Sequence, residues 1–350
     1  MLLIVILILV APPFARAFAP IVILCYHLSC SLAIDPSSLD YAAQYSAAHQ
    51  GKSFLVMQHG KVIFERYANG GSAGERDKIY SGTKGFWILA ALAAEETGIL
   101  KLDERVADTF PEWRADPQKS QVTIHELLNF TAGLDPVFHL HSDEVPDRNA
   151  VALAAPIVAP RGGRFIYGPA ALQVFNELLR RKLAAKQEPP TRFLERRVLG
   201  PMGLGPQVYK EDRAGNPLLA SGFRMTAAQW ARMGSVILHE GSPVVSGHSL
   251  AQCFHGTTAN PAFGMGFWNN HLAGKGGREF DIEDMLELDW PKQDWRDACI
   301  CRDAPSDLVA AIGSGYQRLF VIPSMDLVVV RQGTGGRFSD GEFLRLLLGR

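Results

Sequence analysis

The sequence lacks any long run of basic residues, and its 35 Lys and Arg against 36 Asp and Glu leave a net charge of −1. That balance argues against a nucleic-acid-binding surface, which needs a concentrated positive footprint. No internal repeat occurs at solenoid periods and no low-complexity tract is present, which excludes stacked-repeat and linker-like descriptions of the chain. Cysteine is scarce. The five residues are an odd number and cannot all pair within one chain. Cys299 and Cys301 stand too close in sequence for an ordinary structural bridge. His139-x-His141 offers two metal ligands, but nothing in the sequence ties them to those sulfurs. The plain reading is buried or loop cysteines and surface histidines, with no cofactor and no metal.

The first residues differ from the rest. Leu2 to Val10 is an unbroken apolar run, followed by Ala15-Arg16-Ala17. An apolar core before a small-x-small site reads as a secretory signal over residues 1–17, so an exported protein, periplasmic or extracellular, is expected. No Lys or Arg precedes the run, and a second apolar stretch, Phe18 to Leu24, follows it. An uncleaved N-terminal anchor reaching to about residue 33 is therefore the alternative, and membrane association would come through this segment alone. The folded domain is expected over residues 34–350.

Within that domain, Leu39 to His49 suggests a short helix. Ser53 to Gln58 and Lys61 to Tyr67 are strand-like runs joined by His59-Gly60, a hairpin signal. Ser81 to Glu96 is apolar nearly all round, which predicts a buried central helix ended by Gly98. Val122 to Phe130, Ala170 to Ala185 and Thr226 to His239 predict further helices, the last with Thr226 as N-cap. Leu308 to Ile312, Gln317 to Ile322 and Asp326 to Arg331 read as strands, and Phe343 to Leu348 as a closing helix. Strands thus lie at both ends and helices between them. The simplest architecture is an α/β lobe over about 34–113 and 266–350, with a mainly helical lobe over about 114–265 inserted into it. The cleft between is the default site.

Ser81-Gly82-Thr83-Lys84 puts a hydroxyl and an amine three residues apart at the start of the most apolar helix, on one face. A serine hydroxyl is a weak nucleophile until a neighbour takes its proton. A buried lysine can do so when its pKa is lowered, and a helix N-terminus favours negative charge developing at the serine. Ser-x-x-Lys alone is common by chance; its position before a buried helix gives it weight. Gly70-Gly71-Ser72-Ala73-Gly74 also fits a nucleophile-elbow pattern, but that motif needs a strand before it and a helix after it. Its polar flanks make Ser72 a surface turn. Tyr167, in Arg164-Phe165-Ile166-Tyr167-Gly168-Pro169, could relay protons if a nearby lysine cation lowered its pKa.

Several segments together resemble the serine β-lactamase and penicillin-binding-protein superfamily, in its class C-related, esterase-like branch. Ser53 to Ile63 resembles the opening hairpin and Tyr80-Ser81-Gly82-Thr83-Lys84 the first motif. Val122 to Leu134 is similar to a stretch ending in HTSGL, Tyr167 falls where a Y-x-N tyrosine stands, and Gly313 to Arg331 resembles the last strand pair. The resemblance implies a β-lactamase-like fold, an antiparallel sheet with flanking helices, and catalysis without a metal. It implies that Ser81 carries the acyl group and that Lys84 and Tyr167 share general-base and general-acid work. It further implies that the Ser81 amide and one from Gly313, Ser314 or Gly315 form the oxyanion hole. Two positions depart from the pattern. Pro169 stands for the asparagine of Y-x-N, and Ala311-Ile312-Gly313 stands where K-T-G or H-x-G would bring a cation. The expectation is an ester or amide hydrolase acting on a small-molecule or peptide substrate, and not an antibiotic hydrolase. The alternative is a catalytically retired fold that binds cell-wall fragments or a protein partner. Arg318 and Arg331 could replace the missing charge, although strand arginines ordinarily face the surface.

Overall fold

The computed structural model describes residues 34–350; the expected signal or anchor, with Cys25 and Cys30, lies outside the described residues. The expected hairpin forms as β1 (Gly51–Gln58) and β2 (Lys61–Tyr67). His59 and Gly60 have φ of 52° and 69°, the two positive values that a tight two-residue hairpin turn requires. β3 (Asp77–Lys78) and β4 (Arg224–Met225) form a small antiparallel pair of their own. β5 (Trp268–Asn269) belongs to the main sheet, while β6 (Arg278–Glu279) and β7 (Ala298–Cys299) pair in parallel beside it. β8 (Val309–Gly313), β9 (Gln317–Ile322) and β10 (Leu327–Gly333) complete the set.

The main sheet runs β2-β1-β10-β9-β8-β5 and is antiparallel at every pairing. β8, β9 and β10 are buried along their whole length, as strands covered on both faces must be. One face carries Phe54 and Phe320, which meet Phe343 of the Asp340–Leu348 helix. The other face carries Val328, which lies against Gly234 of the Ala227–Leu238 helix. That helix starts with Thr226 as N-cap, as the sequence suggests, and the structure adds a capping box closed by Gln229. The edge strand β2 is largely exposed and carries Lys61, Glu65 and Arg66, charges that discourage pairing with another chain.

Two expectations need correction. The helix anticipated from Ser81 begins as a 3-10 turn over Tyr80–Thr83, and the α-helix proper is Lys84–Glu96. Arg318 and Arg331 do not face solvent or a substrate. They sit on the face of the sheet that the Asp340–Leu348 helix covers, and both are 0% exposed. Arg318 donates to both carboxylate oxygens of Asp340 at 2.7 and 3.1 Å, to Glu283 at 2.9 Å, and to two carbonyls. Arg331 donates to the carbonyls of Tyr316 and His49 at 2.7 and 2.5 Å and lies over the Phe338 ring. The Arg318 fork is met by fixed acceptors, two carboxylates among them, and is stable in the interior in a way that an unpaired cation is not. Among the described residues Arg331 has carbonyl acceptors only, its Nε has no partner, and burial lowers its pKa to about 10.

Candidate active site

The 3-10 turn has a direct consequence for Ser81 and Lys84. With three residues per turn, positions i and i+3 eclipse, and Lys84 Nζ lies 2.6 Å from Ser81 Oγ. Tyr80, just before, adopts φ 43°, an uncommon conformation for a bulky residue. The surroundings hold it there. The Ile79 N–H donates to the Phe223 carbonyl at 3.0 Å, and the Gly82 N–H to the Ile79 carbonyl at 2.9 Å. A Cβ on Gly82 would come 2.5 Å from the Trp230 ring, so the turn presses against the Ala227–Leu238 helix with no room for a side chain. The loop around residues 218–223 clamps it from the other side. The Ala220 carbonyl accepts from Lys84 Nζ at 2.9 Å, and Thr83 Oγ1 accepts from the Phe223 N–H at 3.2 Å.

Lys84 is 2% exposed, and burial lowers its pKa to about 7. A substantial fraction of the amine is therefore neutral at physiological pH, with a lone pair free to take the Ser81 proton.

Tyr167 precedes Gly168 and Pro169, the N-cap and first residue of the Pro169–Leu183 helix. The rings of Phe130, Phe263 and Trp268 surround it with centroids at 4.9, 6.0 and 6.3 Å. Lys84 Nζ sits 4.6 Å from the centre of its ring, and its hydroxyl is hydrogen-bonded with that of Ser81. The expectation that a lysine cation would lower its pKa is reversed. Burial pushes the phenol well above its ordinary value, and the Ser81 bond only partly counters this. Tyr167 thus keeps its proton at neutral pH.

The long Val122–Leu134 segment explains how Tyr167 is held. Its helix, Ile124–Leu128, opens with a capping box between Thr123 and Glu126. The chain then turns at Phe130, φ 60°, whose carbonyl accepts from the Ile166 N–H at 2.9 Å. At Gly133, φ 75°, a Cβ would stand 2.0 Å from the Ala159 carbonyl oxygen, so only glycine fits.

The three residues of the β8 end separate in role. A Cβ on Gly313 would lie 2.0 Å from the Ile79 carbonyl oxygen, so the strand end rests on the turn that carries Ser81. Ser314 lines the cleft together with Ser81 on both sides. The Gly315 N–H is already donated to Glu283 at 2.9 Å, and the Tyr316 N–H to the same carboxylate at 2.6 Å. Ser314 is then the strand residue suited to partner the Ser81 amide in an oxyanion hole.

The cleft has two compartments. One, of about 280 Å³, contains Ser81, Lys84, Tyr167, Trp268, Ile312 and Ser314. The other, of about 650 Å³, also borders Ser81 and Ser314 and extends towards β3 and β4. Ser72 lies on the exposed turn after β2 and lines neither. His141 is exposed, as the surface reading has it, and it also borders both compartments. Desolvation, and then the charges of Lys84, Lys210 and Arg148, hold its pKa well below the ordinary value, so the ring is neutral at pH 7. Cys253, Cys299 and Cys301 are buried free thiols. Among the described residues no group of three or more His, Cys, Asp and Glu gathers as a metal site. The Ala220 carbonyl, the Glu283 carboxylate and the cations near β3 carry no local sequence signal. The Ala220 carbonyl reaches Lys84 across 136 residues, Arg224 meets Lys78 across 146, and Glu283 reaches the turn after β8 across 32.

A family model described as beta-lactamase matches residues 40–341. The class C beta-lactamase from Rhodobacter sphaeroides superposes with a TM-score of 0.63 at 17% identity, covering 89% of this chain and 99% of that one. A family VIII carboxylesterase gives 0.60 at 15% identity, with 90% and 97% covered. The octameric penicillin-binding protein homologue from Pyrococcus abyssi gives 0.64 at 17%, with 91% and 78% covered. At such identities the likeness is one of fold. No curated protein matches the chain at a significant level.

Proposed function

The chain belongs to the beta-lactamase family, and from that premise we propose that it is a serine hydrolase that cleaves an ester or amide through an acyl-enzyme on Ser81. The observation that carries this reading is the 2.6 Å approach of Lys84 Nζ to Ser81 Oγ, with burial bringing the amine to a pKa of about 7. In the first step Lys84 takes the Ser81 proton as Oγ bonds to the substrate carbonyl carbon. The oxyanion that forms is met by the Ser81 and Ser314 amides. As the intermediate collapses, Tyr167 gives its proton to the departing alcohol or amine and receives from the neighbouring Lys84 ammonium the proton that Lys84 had taken from Ser81. Water then attacks the acyl group by the reverse relay, releasing the acid and restoring Ser81.

Esterase-like chemistry, in preference to antibiotic hydrolysis, is supported by the β8 edge. Ile312 and Ser314 border the smaller compartment together with Glu283 and Glu287, and the cations Arg318 and Arg331 are buried elsewhere. A β-lactam carboxylate would meet acids there. Export accords with the apolar run before Ala17 and is tested by sequencing the mature N-terminus. The decisive experiment for the reaction is labelling by a fluorophosphonate serine probe. Labelling is expected in the wild type and lost in Ser81→Ala. Labelling that persists in the variant overturns the assignment, and a wild type inert to the probe and to short acyl esters favours the retired binding fold.

A further inference from the structure

The larger compartment has a charge pattern that the hydrolytic machinery does not use. Residues Glu75 to Lys78 alternate acid and base. An extended strand sends alternate side chains to opposite faces, and the acids go one way. Glu75 and Asp77 both pair with Lys52, Asp77 at 2.9 Å. Arg76 and Lys78 go the other way and line the cavity that contains Ser81. Across the β3–β4 pairing, Lys78 stands directly opposite Arg224, which lines the same wall. Two like charges in direct cross-strand register repel one another. Among the described residues Arg76, Lys78 and Arg224 enter no ion pair, whereas the fourth cation of this wall, Lys210, is held by Asp143 at 3.0 Å; Lys78 feels that carboxylate only at longer range.

The direction of the reaction says which part of a substrate meets this wall. Tyr167 and Lys84, which handle the leaving group's proton, lie in the smaller compartment. The leaving group therefore points there, and the acyl chain must extend the other way, into the larger compartment. The smaller one carries Glu283 and Glu287, which disfavour an anion on the leaving side.

We propose that Arg76, Lys78 and Arg224 form a subsite for an anionic end group on the acyl chain of the substrate, so that the preferred substrates are half-esters or half-amides of dicarboxylic or similarly charged acids with a neutral or cationic leaving group. This rests on the serine-hydrolase reading of Ser81. A cluster of cations facing a partly enclosed cavity concentrates an anionic ligand and is screened by salt.

The test compares two aryl esters with one leaving group, the p-nitrophenyl half-ester of adipic acid and its methyl-capped diester, by release of p-nitrophenol. The expected result is a kcat/KM at least tenfold higher for the charged ester at about 20 mM salt, collapsing towards unity at about 500 mM. In Lys78→Glu/Arg224→Glu the charged-to-neutral ratio should fall at least tenfold. A wild-type ratio near or below one, or a ratio unchanged in the variant, overturns the subsite while leaving the hydrolase intact. If neither ester is cleaved and the serine probe does not react, the hydrolase reading fails and adipate itself decides the subsite by calorimetry. Binding that is lost in the variant upholds it, and no binding overturns it.

Discussion

Lys84 and Arg318 are both cations removed from water, 2% and 0% exposed, and the fold treats them in opposite ways. Arg318 is surrounded by acceptors. Burial works against its charge, but Asp340 and Glu283 more than offset this and hold the guanidinium above its ordinary pKa. Lys84 receives a serine hydroxyl and one carbonyl, and burial lowers it to about 7. The first arrangement makes a permanent charge that locks β9 to the C-terminal helix. It also fixes Glu283, and through it the turn beside Ser314. The second makes an amine that changes protonation state at working pH. Pairing with carboxylates, and not depth, separates these two cations.

The sharpest way to test the contrast is to remove the unpaired member. Lys84→Met should lower turnover by on the order of 10²–10⁴-fold, the usual contribution of a positioned general base. It should also stabilise the protein at low pH. The unfolded lysine titrates near its ordinary 10.5 and the folded one near 7. Between these values the unfolded chain holds more protons, so wild-type stability rises with pH from about 7 to 10.5. Below pH 7 the buried ammonium carries its full cost. Lys84→Met should therefore be more stable than wild type at pH 6, by on the order of a few kcal/mol. The Ala220 carbonyl left without a donor takes back about 1–3 kcal/mol of that. The gain should shrink towards pH 10. Urea denaturation at the two pH values measures it, and a variant less stable than wild type at pH 6 would contradict the assignment. In the wild type, kcat/KM should rise with pH through about 7 as Lys84 loses its proton.

Breaking the paired member should have the opposite sign. Asp340→Ala leaves the Arg318 guanidinium without its two-pronged partner in the interior. It should cost about 3–5 kcal/mol at neutral pH by the same denaturation measurement. A loss below about 1 kcal/mol would mean that Glu283 and the neighbouring carbonyls suffice, and the contrast with Lys84 would narrow.

These two residues also mark what could be read in the sequence. Ser81 and Lys84 are legible because their relation is local: a spacing of three at the head of an apolar helix. The hairpin turn at His59-Gly60 and the N-cap at Thr226 are legible for the same reason, each a contact within a few residues. Arg318 is not legible. An arginine in a strand reads as solvent-facing until Asp340 and Glu283 are brought to it by the closing helix and by a segment 35 residues upstream. The phenol of Tyr167 was legible as a proton carrier, but not the direction of its pKa. That depends on Phe130, Phe263 and Trp268, which only tertiary packing assembles around it. The cationic wall is invisible for a similar reason, since Lys78 and Arg224 meet across 146 residues.

Between these extremes lies the turn that holds Ser81. Gly82 has no space for a Cβ because the Trp230 ring stands 2.5 Å from where it would be. Gly82→Ala must push the indole or the 3-10 turn aside, and overpacking of this kind costs about 1–3 kcal/mol. Because the turn sets the 2.6 Å approach of Lys84 to Ser81, turnover should fall along with stability. Denaturation and initial rates on one ester would measure both. A variant with lost stability and full activity would show that the serine–lysine geometry does not depend on this packing.

The smallest effect should come from the cations that face water. Lys78 and Arg224 repel across the β3–β4 pair, so Lys78→Glu replaces a like-charge pair with an attractive one. Cross-strand pairs of this type are worth roughly 0.2–1 kcal/mol, and an exposed site on a two-residue strand belongs at the low end. The expected result is a slight gain in stability that fades with added salt, accompanied by a lower preference for anionic acyl chains. A group whose removal stabilises the fold while weakening selection of substrate is one kept for binding. If Lys78→Glu instead destabilised the protein by more than about 1 kcal/mol, the cation would be part of the scaffold like Arg318, and the division between paired and unpaired charge would not extend to this wall.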